Sequence, residues 1–161
     1  MTERPTEKKY FGSYEQIGKL IRRYARFGGV DALRFFEEVL FCYLTGNNDM
    51  HLKKFSLLRE PDGAWNLSPA YDLAPAQIHL PKDSEELALT LNGKKRRLVS
   101  DDFAAFAASL HLTDTQFKRA VRRLTGRLAE TLDETLARSF LSQEFQSKVR
   151  SLVASRLRVF E

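Results

Sequence analysis

The chain has 161 residues, 43% hydrophobic and 29% charged, and carries a net charge of +5. A chain of this length buries roughly 70% of its unfolded surface in one domain, which excludes a minimal, disulfide-stapled scaffold. The single cysteine excludes an intrachain disulfide, no apolar run is long enough to span a bilayer, and the start has no signal-peptide pattern. A cytoplasmic, reducing setting is therefore expected.

In chain order, "MTERPTEKKY" is polar, and residues 1–12 are assigned to a flexible N-terminal segment. "GSYEQIGKLIRRYARFGG" places Tyr14, Ile17, Leu20, Ile21 and Tyr24 at helical spacing, with Ser13 as cap and Gly28-Gly29 to end the helix. Lys19, Arg22, Arg23 and Arg26 form a basic, solvated face. "VDALRFFEEVLFCYLTG" is apolar nearly all round, from Leu33 and Phe35 to Tyr43 and Leu44, so it is expected in the middle of the domain. Cys42 lies within it as a buried, inert thiol. Gly46 ends this helix and opens a polar loop, "NNDMHLKK", that the buried helix would hold rigidly.

Phe55–Leu58 and Trp65–Leu67 flank "EPDG", which predicts a small hairpin. "APAQIHLPKDSE" contains two prolines and predicts an irregular loop, and "ELALTLNG" alternates as a strand would. From Ser100 onward the pattern is helical: Phe103, Phe106, Ala107 and Leu110, then a capping box at Thr113–Gln116, then a stripe from Phe117 to Leu136 that crosses Gly126. Ser142 starts a last helix. The predicted fold is mostly α with a small β-hairpin insert.

Asp49 and Asp72 each lie just beyond an apolar element, and the predicted hairpin joins them. A lone aspartate in such a place is ordinarily a turn residue. A hairpin can bring two to one end, where they could share a cation. Phosphoryl transfer needs such groups, because its catalysis is mainly positioning and charge neutralisation.

"TGNNDMHLKKFSLL…NLSPAYDLAP" resembles the C-terminal lobe of the HipA family of toxin-type serine/threonine kinases, whose members read N-x-D-x-H-x-K-N-F-S, a turn, then P-x-Y-D. The resemblance runs over residues 13–161 and implies the helical C-lobe of a protein-kinase-like fold. It makes Asp49 the base that orients the acceptor hydroxyl and gives His51 and Lys53 the shaping of the catalytic loop. Asn48 and Asp72 become cofactor contacts, and Asp72 with Asp49 the magnesium ligands. It further implies ATP, a protein substrate such as an aminoacyl-tRNA synthetase, a helix-turn-helix antitoxin, and DNA met indirectly through that antitoxin.

Two departures are visible. Lys54 stands where the family has a metal-holding asparagine, and a lysine offers three donors and no acceptor. Weak or absent binding of magnesium-nucleotide is expected, unless Lys54 swings to solvent and leaves one metal on Asp72. No glycine-rich loop or strand-borne lysine precedes the first helix, so a missing N-lobe or another completing polypeptide is needed. The alternative is a catalytically inactive remnant that binds an antitoxin, another subunit or nucleic acid. The run "GKKRR" (residues 93–97) could serve that last role, but the absence of interleaved aromatics favours a solvated loop.

Overall fold

A computed structural model describes residues 8–79 and 84–161. Among the described residues are five α-helices: α1 (Tyr14–Tyr24), α2 (Gly28–Thr45), α3 (Ser100–Ser109), α4 (Asp114–Ala137) and α5 (Gln143–Leu157). One two-stranded antiparallel sheet, β1 (Leu57–Arg59) and β2 (Trp65–Leu67), interrupts them. The fold is mostly helical with a hairpin insert, as the periodicity predicts. Among the described residues, no helix is long and apolar enough to cross a membrane.

Helix α2 is the centre of the fold and packs against α1, α3, α4, α5 and β2. Its Phe35, Phe36, Val39, Leu40, Tyr43 and Leu44 are all buried, as an all-round apolar helix requires. Tyr14 of α1, Phe35, Phe55 and Phe106 of α3 meet with centroids 5.2–6.3 Å apart, mostly edge to face. Such pairs add about 0.5–1.5 kcal/mol each beyond their buried area. Cys42 is buried beside them, and burial pushes its thiol pKa up, which keeps it protonated and inert.

The helix caps follow the sequence closely. Ser13 with Gln16 and Thr113 with Gln116 form complete capping boxes, and Ser142 caps α5. Gly46 closes α2 in the left-handed conformation, at φ 72°. A Cβ there would meet the Leu152 side-chain end of α5 at 2.9 Å, so the leucine would also have to shift. Gly28-Gly29 behaves differently from expectation. Helix α1 already ends at Tyr24, where Ala25 turns extended, and Gly28 begins α2.

"ELALTLNG" forms no regular strand, only bridges between Ser13 and Thr90 and between Leu91 and Lys94. Its donors go to separate partners: Glu86 and Leu87 to the Lys95 carbonyl, Thr90 to Gly12 and Leu91 to Lys94. Leu87, Ala88 and Leu89 are all buried, so the segment is a core-filling arm, and alternation does not govern it. Asn92 and Gly93, both at positive φ, make its tight turn. Of the loop predicted over residues 74–85, Ala76–His79 is a 3₁₀ turn, while residues 80–83 lie outside the described residues. The N-terminal segment divides likewise. Residues 1–7 lie outside, and residues 8–12 make the hydrogen bonds described below.

Candidate functional site

The candidate loop is pinned at both ends by groups the sequence supplies. Gly46 and Asn47 turn back on α2, with the Asn47 amide donating to Cys42 O at 2.8 Å. Met50 is buried, and its carbonyl accepts from the Tyr14 hydroxyl at 3.1 Å. Residues Leu52–Lys54 make one 3₁₀ turn, and Phe55 then enters the aromatic core.

The hairpin is clamped to the α1–α2 corner. Asp31, buried on α2, accepts from the Leu67 amide at 3.2 Å, and the Arg26 amide donates to Trp65 O at 2.7 Å. The strand register pairs Leu57 with Leu67 and Arg59 with Trp65. Beyond Asp72 the chain returns to its starting point, because the Gln77 amide donates to Gly46 O at 3.0 Å. Residues 46–77 are thus a circuit closed at its base, with the Asp49 loop on one limb and Asp72 on the other.

Side-chain contacts join the two limbs. Tyr71 donates its hydroxyl to Lys53 O at 3.0 Å, and the Lys54 ammonium forms an ion pair with Asp72 Oδ2. Lys54 is largely covered, its side chain 16% exposed, so it has not swung to solvent. Asp72 is exposed and holds a left-handed φ of 56°, uncommon for a residue other than glycine. A divalent cation on Asp72 would have to share that carboxylate with an ammonium that repels it. Among the described residues, no three His, Cys, Asp or Glu side chains converge as metal ligands. With Lys54 seated on its carboxylate, Asp72 does not fit the role of a magnesium ligand.

The other expected residues are placed as follows. Asp49 is half-buried, and its amide donates to Asn47 Oδ1 at 3.3 Å. Its Oδ1 accepts a 2.6 Å hydrogen bond from the Tyr10 hydroxyl. His51 is buried, with Nδ1 accepting from the Lys53 amide at 3.3 Å, which leaves the ring proton to Nε2. Burial holds the His51 pKa below its ordinary value and the Lys9 charge adds to this, so the ring is neutral near pH 7. Lys53 is exposed, and Asn48 donates its side-chain amide to Glu85 O at 2.8 Å.

Sequence reasoning missed Tyr10. Its phenol is pushed up to about 12, chiefly by the hydrogen bond to Asp49 and then by burial, so it stays protonated and donating. The only signal available was an aromatic residue closing a polar segment. The "GKKRR" run is half structural: Lys94 pairs with buried Asp102 at 2.9 Å, and Lys95 with Glu85 at 3.3 Å.

The site is therefore a mostly helical lobe that braces the Asp49 and Asp72 loops about one hairpin. The chain belongs to the family of the HipA-like C-terminal domain, whose model matches residues 1–132. It is 24% identical over 152 residues to a Haemophilus influenzae protein named "Putative kinase", covering 85% of this chain and 44% of that protein. It is 32% identical over 111 residues to "Putative kinase Y4dM" of Sinorhizobium fredii, covering 68% of this chain and 27% of that protein. Among solved structures, it resembles a chain of the Shewanella oneidensis MR-1 toxin–antitoxin complex of HipA, HipB and operator DNA. That match has a TM-score of 0.66 and 24% identity, covering 91% of this chain and 34% of that one. The chain therefore spans less than half the length of each of these relatives.

Proposed function

We propose that this chain is the acceptor-side lobe of a HipA-type serine/threonine kinase and works with a nucleotide-binding lobe that residues 1–161 do not supply. The observation that carries the reading is the closed circuit of residues 46–77, which holds Asp49 and Asp72 on adjoining limbs. Asp49 receives the acceptor hydroxyl, orients it and takes its proton. A carboxylate in this role contributes mostly by placing the oxygen in line, and proton transfer adds roughly 10²- to 10⁴-fold. His51, neutral and bonded to the Lys53 amide, keeps the loop in its 3₁₀ turn. Lys54, seated on Asp72, presents a fixed ammonium where a phosphate would approach, so nucleotide binding by this lobe would not depend on magnesium.

A second reading is a non-catalytic binding module, favoured by the Lys54–Asp72 pair, which closes the site upon itself. Its partner would be a DNA-bound protein of the kind found with the Shewanella neighbour.

The test is transfer of labelled phosphate from ATP to protein hydroxyls. The chain would be assayed alone and mixed with a polypeptide carrying the nucleotide-binding portion of a longer relative. Transfer that needs the mixture and is lost in Asp49→Ala supports the kinase reading. No transfer in any mixture, or transfer indifferent to Asp49, overturns it.

A further inference from the structure

We propose that Tyr10 is the positioning residue for Asp49: its hydroxyl locks one carboxylate oxygen so that the other faces an incoming acceptor. The proposal rests on Asp49 being the acceptor-side base, and it adds a residue that no motif contains.

The contact belongs to a built strap and is more than a chance surface meeting. Residues 8–12 cross the candidate loop just ahead of α1. The Phe11 amide donates to Lys8 O at 3.1 Å, which turns the strap. The Leu52 amide donates to Lys9 O at 3.1 Å, which ties it to the 3₁₀ turn beside His51. Lys95 Nζ reaches Tyr10 O at 3.5 Å, and the Thr90 amide donates to Gly12 O at 3.2 Å, so the buried arm holds the far end. The Tyr10 ring stands edge-on to His51 with centroids 5.2 Å apart. Backbone bonds on both sides therefore fix where the ring sits before its hydroxyl meets Asp49.

The bond at Asp49 Oδ1 is 2.6 Å, the length of a charge-assisted O–H···O⁻ contact. Asn47 meets Asp49 through the backbone, its Oδ1 accepting from the Asp49 amide at 3.3 Å, while Tyr10 meets the carboxylate. An aspartate held only through its backbone would rotate about χ1 and χ2. With Oδ1 fixed, Oδ2 keeps one direction. A base of this class gains its rate from the orientation of that oxygen, and small misplacements are costly.

The first measurement does not require activity. In the wild-type chain, side-chain proton couplings should show Asp49 in one χ1 rotamer. In Tyr10→Phe, which keeps the ring against His51, they should average over rotamers while the melting temperature stays near wild type. Unchanged Asp49 couplings in Tyr10→Phe overturn the proposal. The second measurement uses the transfer assay in the lobe-completed mixture. There Tyr10→Phe should lower kcat roughly ten- to a hundredfold with little change in KM. A rise in transfer would overturn the proposal by showing that Tyr10 blocks the base. Absence of transfer in the wild type would instead count against the kinase reading, and the coupling measurement would still decide the role of Tyr10.

Discussion

At the scale of single residues, Lys54 bears most directly on whether a cation could sit at this site. Lys54 occupies the position from which the family pattern draws a metal-holding asparagine, and the structure gives its ammonium a partner in Asp72 Oδ2. Asp72 is more than half exposed, so the pair adds only about 0–1 kcal/mol to folding. Its consequence is electrostatic exclusion, since a hard dication seeks oxygen ligands and an ammonium supplies none. Lys54→Asn replaces the ammonium with a carboxamide oxygen beside the same carboxylate. Manganese, as a paramagnetic stand-in for magnesium, should then broaden the amide resonances of Asp72 and of the substituted residue in the variant, and leave wild type unaffected. The fold should tolerate the change, with a melting temperature shifted by no more than a few degrees. Equal broadening in both chains would show that Lys54 does not govern the cation.

At the scale of elements, legibility followed how local each determinant is. The caps Ser13, Thr113 and Ser142 act within three residues, and the hairpin turn around Asp62-Gly63 within four, so the sequence displays them directly. The β1–β2 hairpin between Asp49 and Asp72 was legible because its two strands and turn are neighbours in sequence. Tyr10 was not, because its partner lies 39 residues away and is reached through bonds to two other segments. The 86–91 arm deceived for a related reason: its leucines are buried as a strand's would be, but its amides are shared among three partners. Helix α2 carries a further consequence of its central place. Glu38 shares it with the buried core residues, and burial raises its carboxyl to about 7, with the Arg34 charge opposing the rise. In the unfolded chain a glutamate titrates near 4.3, so the folded state holds the proton more tightly. The contribution is therefore most favourable below about pH 4, declines as pH rises from about 4 to 7, and is constant above that. Glu38→Gln should match wild type near pH 4 and exceed its stability by about 1–3 kcal/mol at pH 8. Denaturant midpoints across that range check this, and parallel pH profiles for the two chains would refute it.

The molecule as a whole is held together at a junction distant in sequence from the site but connected to it. The family match ends at residue 132, yet α5 beyond it carries Arg156, one of the few buried charges. Its guanidinium forms an ion pair with Glu86 at 2.5 Å, donates to Gln77 Oε1 at 3.0 Å and lies over the Tyr43 ring at 4.5 Å. Glu86 in turn accepts from the Leu98 amide at 3.0 Å. Four parts of the chain therefore meet at one cation: α5, the 86–98 arm, the 3₁₀ turn after Asp72, and α2. Gln77 is also the residue whose amide closes the 46–77 circuit on Gly46, so the C-terminal helix braces the base of the candidate site. Removing one partner of a buried pair costs more than the pair contributes, because the survivor keeps its desolvation without its counter-charge. Arg156→Met keeps the aliphatic bulk, strands Glu86 and should cost about 3–5 kcal/mol. Arg156→Met combined with Glu86→Gln removes the stranded charge and should recover part of that loss. The double variant would then be more stable than the sum of the single changes predicts. Urea denaturation of the four chains gives the coupling directly. Strict additivity would mean that α5 is held by its apolar contacts through Val149 and Val153, and that the junction does not brace the site.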